Sequence, residues 1–233
     1  IPTMIPKRFT VEAYSYLLTK TNFLNAIKNS LLVATVVSLL SIAVAYPTAY
    51  TLARTKFRGR RVLSKAVLFT YMLPTSVLYI PLYILVARLG LTNTLWGLVL
   101  IYPTFTLPYV AWILIPHVQS IPVALEEAAM MDGCSHFMIM YRIIFPLALP
   151  GIISTTIFAF AMCWGEYLYA LVNLTSATVQ TFPLVISSLI YGDMPPWNQL
   201  MAGAIMACIP IIIIYMLASS SLVGGATAGG VKQ

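Results

Sequence analysis

Six carboxylates and two histidines are spread through 233 residues, and three of the carboxylates, Glu126, Glu127 and Asp132, fall within one stretch of seven. A fourth, Glu166, stands alone among apolar residues. Neither arrangement is that of an enzyme, which would set a nucleophile or a metal-ligand group beside its base. Cys134, Cys163 and Cys208 are odd in number, far apart and without CxxC spacing. A disulfide framework or a metal site is therefore not indicated. His117 and His136 are equally isolated. ATP hydrolysis by this chain is not indicated either, because no GxxxxGK[ST] loop is present. Near the C-terminus Val231 separates Gly230 from Lys232 and the chain ends one residue later, which suits a flexible or docking tail.

The acidic cluster needs an element to present it. Pro122 suits the first turn of a helix, Glu126 and Glu127 suit the positive end of the helix dipole, and Gly133 supplies the geometry that stops a helix. The expected form is a short helix, a glycine corner and a second helical piece over residues 137–145. Such a polar knot between two apolar runs cannot sit in hydrocarbon, so it lies at a membrane face, docked against another protein. The plainer alternative is a solvated loop whose acids only favour a helix N-terminus.

Composition sets the surroundings. The chain is 60% hydrophobic and 8% charged, against roughly a quarter charged in soluble domains, which excludes a large soluble core. The expected fold class is all-α, a polytopic membrane bundle with five spans at residues 29–53, 66–88, 95–116, 147–172 and 199–223, each long enough to cross a bilayer. Pro74, Pro81, Pro103, Pro108 and Pro210 fall inside these runs, where they bend helices. The net charge of +7 could suggest nucleic acid. Its distribution excludes that, because Arg54, Lys56, Arg58, Arg60, Arg61 and Lys65 all sit between two spans, where basic residues mark the cytoplasmic side. Residues 117–146 and 224–233 then fall on the cytoplasmic side, and 1–28, 88–94 and 173–198 outside. A short helix is expected over residues 11–18. Five spans with an external start imply an earlier sixth.

Glu166 falls inside the expected fourth span. A carboxylate facing lipid there costs about 2.5–3.5 kcal/mol or more, so it faces protein or water. It reads as a polar lining residue of a translocation path, with Trp164, Tyr167 and Asn173 nearby; an inter-helix polar tie or a gate contact is the alternative. The outward stretch 193–198, with Trp197, suits either a receiving surface for a binding protein or an interface anchor.

Glu127, Ala128 and Ala129, three residues, Gly133, nine residues, Ile143, one residue, Phe145 and Pro146 form a spaced pattern. It resembles the cytoplasmic EAA loop of ATP-binding-cassette importer membrane subunits, with Phe145 where that family usually has Leu. The runs AYTLARTKFRG at 49–59, IPLYILVARLGLTNT at 80–94, WGEYLYAL at 164–171 and the tail 225–232 are similar to the carbohydrate subgroup, typified by the maltose importer. Gly165 stands where that subgroup often has Asn. The resemblance implies a bacterial or archaeal inner-membrane permease with six spans and a cytoplasmic C-terminus. It implies that residues 117–146 form a coupling helix and its flanks, on which Glu126 or Glu127, with Asp132, contact an ATPase, Ala128 and Ala129 permit close approach, Gly133 sets the corner and Pro146 restarts the membrane helix. The implied partners are a second permease subunit, two ATPase subunits that use ATP and Mg, an extracytoplasmic sugar-binding protein and the lipid bilayer. Nucleic acid is not among them, and no cofactor is bound by this chain. Trp164, Glu166, Tyr167 and Asn173 would then lie near sugar hydroxyls. An ion-gradient transporter is the competing class, and it would need ionisable groups at mid-membrane, of which Glu166 alone qualifies.

Overall fold

The computed structural model describes residues 10–190 and 195–229, with side chains described as far as residue 218. The basic and aromatic residues among 1–9, part of the stretch 193–198 and the last four residues of the tail lie outside that set. Among the described residues the regular structure is helical. The segments are α1 (Glu12–Lys20), α2 (Phe23–Arg54), α3 (Arg60–Met72), α4 (Tyr79–Arg88), α5 (Leu95–Ile101), α6 (Pro103–Ser120), α7 (Ala124–Met131), α8 (His136–Met138), α9 (Phe145–Trp164), α10 (Leu168–Asn173), α11 (Phe182–Ser188) and α12 (Trp197–Gly229).

Among the described residues three helical runs are long and apolar enough to cross a membrane: Phe23–Arg54, His136–Trp164 and Trp197–Ala218. Two bent pairs, Arg60–Met72 with Thr75–Arg88 and Leu95–Ile101 with Pro103–Ser120, bring the number to five if each pair is one span. The bends have local causes. Leu73, which precedes Pro74, is driven out of the helical region to ψ 134°, and the two halves then meet at 89°. Residues 66–88 are therefore two helices at a right angle and not one rod. Pro81 sits in the first turn of α4, and Pro103 opens α6 after a 40° bend, both positions where a missing N–H costs little. Pro47, Pro108, Pro150 and Pro210 lie inside helices that continue through them.

The expected boundaries shift in three places. The helix expected over 11–18 is α1, which packs beside α12. The first span begins at Phe23, inside the segment expected to be external, because Phe23 and Ala26 are fully buried. The last helix runs to Gly229, so residues 224–229 of the expected tail are helical.

Two buried clusters sit end to end along α2. One gathers Phe23, Val33 and Val37 with Tyr102, Trp164, Tyr169 and Phe182. The other gathers Tyr46, Ala49 and Tyr50 with Leu114, Ile139 and Ile144. Between them the buried hydroxyls of Ser41 and Thr106 meet at 2.7 Å, a polar tie that fixes the register of α2 against α6. The outward faces stay apolar: Leu39, Leu40 and Val44 on α2, and Ile205, Ile209 and Ile212 on α12, are exposed, as a lipid-facing surface requires.

Gly97 marks the tightest turn. A Cβ there would lie 2.7 Å from the backbone carbonyl oxygen of Leu91 and 3.1 Å from a Val86 methyl, and a backbone carbonyl has no rotamer to escape into. Gly97→Ala is expected to destabilise the protein by about 1–3 kcal/mol. The readout is the thermal unfolding midpoint in detergent, with Trp96→Ala, at an exposed position, as the control that should leave it unchanged.

Candidate functional site

The acidic knot forms as a helix and a corner. Helix α7 ends at Met131, Gly133 takes φ +81°, and the Cys134 N–H donates to Ala129 O at 3.0 Å. Ser135 then caps the next helix by accepting the Met138 N–H. Glu127, Ala128, Asp132 and Gly133 are exposed together, while Glu126 and Ala129 are buried.

Glu126 is thus not a free surface acid. Its carboxylate lies 2.6 Å from Arg54 Nε, an ion pair rather than a well-aligned hydrogen bond, with both side chains nearly enclosed. Its second oxygen accepts the Tyr50 hydroxyl at 3.2 Å. Arg54 also donates to Ile121 O at 2.5 Å. The sequence left Glu126 and Glu127 as alternatives for a partner contact; in the structure Glu126 faces inward, and of the pair only Glu127 is exposed. The cause is the helix itself, since adjacent residues point about 100° apart and α2 packs on one side only.

Arg54 was legible as a topology marker, but its ion pair was not. Arg60 is turned inward as well, donating to Leu52 O at 2.6 Å and Ala53 O at 2.9 Å, where the last carbonyls of α2 lack helical partners. Lys56, Arg58, Arg61 and Lys65 stay exposed.

Pro146 stands in the first turn of α9, directly after a widened turn and not after a gap in the helix. The run His136–Trp164 is continuous, and Ile139–Ile144 within it is a π turn in which the Phe145 N–H donates to Met140 O, five residues back. Widening the helix just before a proline that cannot donate lets the chain continue. The Met140 carbonyl is shared with the buried Tyr46 hydroxyl at 2.6 Å.

The second expected group divides. Glu166 is not inside a helix but in the break between α9 and α10, after Gly165. One carboxylate oxygen accepts the Tyr169 N–H at 2.8 Å; the other accepts the Ala170 N–H at 3.1 Å and the Tyr102 hydroxyl at 2.8 Å. The residue satisfies the first turn of α10 and ties it to Tyr102 at the junction of α5 and α6. Tyr169 in turn donates its hydroxyl to Thr75 O at 3.0 Å, across to the break between α3 and α4.

These breaks border an open cavity of about 530 Å³, lined by Tyr71, Thr75, Tyr79, Phe105, Glu166 and Tyr167 among others. Its wall is aromatic: Tyr79 meets Tyr169 edge-on at 4.3 Å and Phe105 stacks on Tyr169 at 5.9 Å. Trp164 and Asn173 are not part of it. Trp164 is buried and donates to Ala207 O of α12 at 3.1 Å. Asn173 is buried and donates to Tyr169 O at 2.8 Å.

A polar group at the opposite end of α2 had no reading in the sequence. Asn22 donates to Ala177 O; Asn25 donates to Thr178 O at 2.6 Å; Asn29 donates to Thr178 O at 3.0 Å and Gln180 O at 2.9 Å. Asn93, at φ 58°, adds its side chain to Thr175 and Ser176. The signal available was the spacing of Asn22, Asn25 and Asn29, which puts all three on one helix face.

The family model described as the binding-protein-dependent transport system inner membrane component matches residues 38–224. The inner membrane ABC transporter permease protein YcjP of Escherichia coli (strain K12) is 34% identical, over 99% of this chain and 83% of that protein. The diacetylchitobiose uptake system permease protein DasC of Streptomyces coelicolor is also 34% identical, over 99% of this chain and 84% of its own length. A chain in the crystal structure of a bacterial ABC transporter involved in the import of the acidic polysaccharide alginate shares the fold, with a TM-score of 0.76 and 23% identity over 93% of this chain and 81% of that one.

Proposed function

Because the chain belongs to the inner membrane components of binding-protein-dependent transport systems, we propose that it is the permease subunit through which an ATP-driven importer passes a mono- or oligosaccharide. The sugar is delivered by an extracytoplasmic binding protein, the pore is shared with a second permease subunit, and two ATPase subunits consume ATP and Mg. The relatives that take up diacetylchitobiose and trehalose support a sugar substrate. The observation that carries the coupling role is the exposed face of α7: Glu127, Ala128, Asp132 and Gly133 stand out together on a helix fastened from behind by Glu126. A docking helix needs both properties, a free face to receive force and a fixed back to pass it on.

The basic loop 54–65 supports a cytoplasmic side for α7 and for the C-terminus, because basic residues collect there. Alternating access then moves the bent helices around the cavity at Glu166 and Tyr167, where broken helices meet as they do in many transporter sites. Glu166 holds its place by three accepted hydrogen bonds, a positioning duty rather than that of a proton carrier in an ion-gradient transporter.

Glu127→Ala and Gly133→Val test the coupling. The first removes a charge-assisted contact; the second forces a branched side chain into a left-handed conformation, at about 1–2 kcal/mol or more. In proteoliposomes holding the whole importer, ATP-driven uptake of a labelled mono- and disaccharide panel is expected to fall at least about tenfold in each. Normal uptake and ATPase stimulation in both variants would remove the coupling role, and uptake driven by an ion gradient without the ATPase subunits would place the protein in the other class.

A further inference from the structure

The loop around α7 and the segment 177–180 are far apart in the fold, yet both are gripped by polar side chains of one helix. On α2, Tyr46, Tyr50 and Arg54 follow at steps of four residues, which aligns them on one face. They hold the loop at the Glu126 carboxylate and Ile121 O, and the start of the helical run that follows it at Met140 O. At the other end Asn22, Asn25 and Asn29 hold the carbonyls of Ala177, Thr178 and Gln180. There Ser30 also accepts the Phe182 N–H at 3.0 Å. Asn29 and Tyr50 are 21 residues apart, about 32 Å of helical rise, the thickness of a hydrocarbon layer.

Apolar contacts let helices slide and repack at low cost, whereas directed hydrogen bonds fix position along the axis and rotation about it. Between its two ends α2 meets α6 and α9 chiefly through buried apolar side chains, the Ser41–Thr106 hydroxyl pair being a single polar contact to α6 at mid-length. Polar clasps at both ends distinguish α2 from a helix that is merely packed in place. We propose that α2 is the element that carries displacement across the membrane: the inner clasp joins it to the α7 loop, the outer clasp joins it to residues 177–180, and the state of one end biases the other. This rests on the reading that α7 meets an ATPase, and it adds the route by which that contact reaches the opposite face. Coupling of this kind is reciprocal, so each clasp is needed in both directions.

The test uses the complete importer with its ATPase subunits, and its probe is a non-hydrolysable ATP analogue with Mg, so it does not depend on knowing the sugar. Hydrogen–deuterium exchange is followed in two peptides, one covering α7 and one covering 174–181. In the parent complex the nucleotide is expected to change exchange in both peptides by at least about threefold. Glu126→Gln, and separately Asn25→Ala combined with Asn29→Ala, are expected to leave the α7 response and abolish that of 174–181. Combining the two sets should take nothing further, because they interrupt one route. Tyr46→Phe, which leaves the ion pair intact, and Arg54→Gln with Glu126→Gln, which leaves no unpaired charge, guard against loss of folding and are expected to weaken the same response. A 174–181 response that persists in these variants overturns the proposal. So does a parent complex in which only α7 responds. Absence of any response at α7 in the parent would instead sink the ATPase-docking reading on which the proposal rests.

Discussion

Arg54→Ala is expected to lower the stability of the folded protein by about 3–5 kcal/mol, the usual cost of leaving one partner of a buried ion pair behind. The Glu126 side chain is 5% exposed, so its carboxylate cannot turn to water for replacement. Tyr50 at 3.2 Å would be its remaining partner. Ile121 O would lose its donor at the same time. Arg54→Lys should recover only part of the loss, because an ammonium cannot reach Glu126 and Ile121 O in the forked geometry that the guanidinium provides. Arg54→Leu with Glu126→Leu, which removes both charges, should be nearer to the parent than Arg54→Ala alone. Thermal unfolding of the detergent-purified protein reads all three. A midpoint for Arg54→Ala within a degree or two of the parent would mean that α7 is held by something other than this pair.

Glu166→Ala is expected to have the second largest effect, and to strike transport more than assembly. The carboxylate accepts two N–H groups from the first turn of α10, and losing such caps costs about 1–2 kcal/mol. It also leaves the fully buried Tyr102 hydroxyl without its acceptor, a further 1–3 kcal/mol or so. Tyr169, whose backbone is held by Glu166, is the residue that reaches Thr75 across the break between α3 and α4. Releasing α10 therefore loosens two of the breaks that frame the cavity. Uptake is expected to fall at least about tenfold while the ATPase subunits still copurify. Glu166→Gln should be intermediate, since its carbonyl oxygen can replace one carboxylate oxygen and its one or two donors, while its amide group opposes a backbone N–H at the other position. Uptake in Glu166→Ala within twofold of the parent would show that the α9–α10 break is held without this residue.

Both predictions concern acids whose surroundings differ from what their neighbours in the chain suggest. Glu126 sits beside Glu127 in a helix whose pattern marks both as surface groups, and only one of them is. Glu166 sits in a run apolar enough to be one span, and the run breaks at Gly165. In each case a charge is retained inside because it organises backbone: Arg54 with Glu126 fixes the start of the α7 loop, and Glu166 starts α10. Buried charges that are fully partnered specify one arrangement more than they add stability, and a transporter that must switch between defined states has use for that.

By itself the sequence determined the class of molecule. A chain 60% hydrophobic with 8% charge has only one solvent in which its helices can expose Leu39, Ile205 and Ile212. Of the five prolines expected to bend helices, those at 74 and 103 stand at breaks while Pro108 and Pro210 lie inside helices that continue, because pre-proline sterics and the missing N–H act locally but packing decides whether a helix yields to them. The spaced pattern from Glu127 to Pro146 is local too, and it identified the family before any fold was known. Only the tertiary structure decided which of two adjacent glutamates turns inward, that Arg54 is its partner 72 positions away, that Trp164 and Asn173 leave the cavity to Glu166 and Tyr167, and that three asparagines on α2 hold residues 177–180. The physical reason is the same in each case. Helix, bend and span are set by interactions among near neighbours in the chain, whereas the partner of a buried polar group is whatever a distant helix happens to place against it, and one sequence read alone carries no term for that distance.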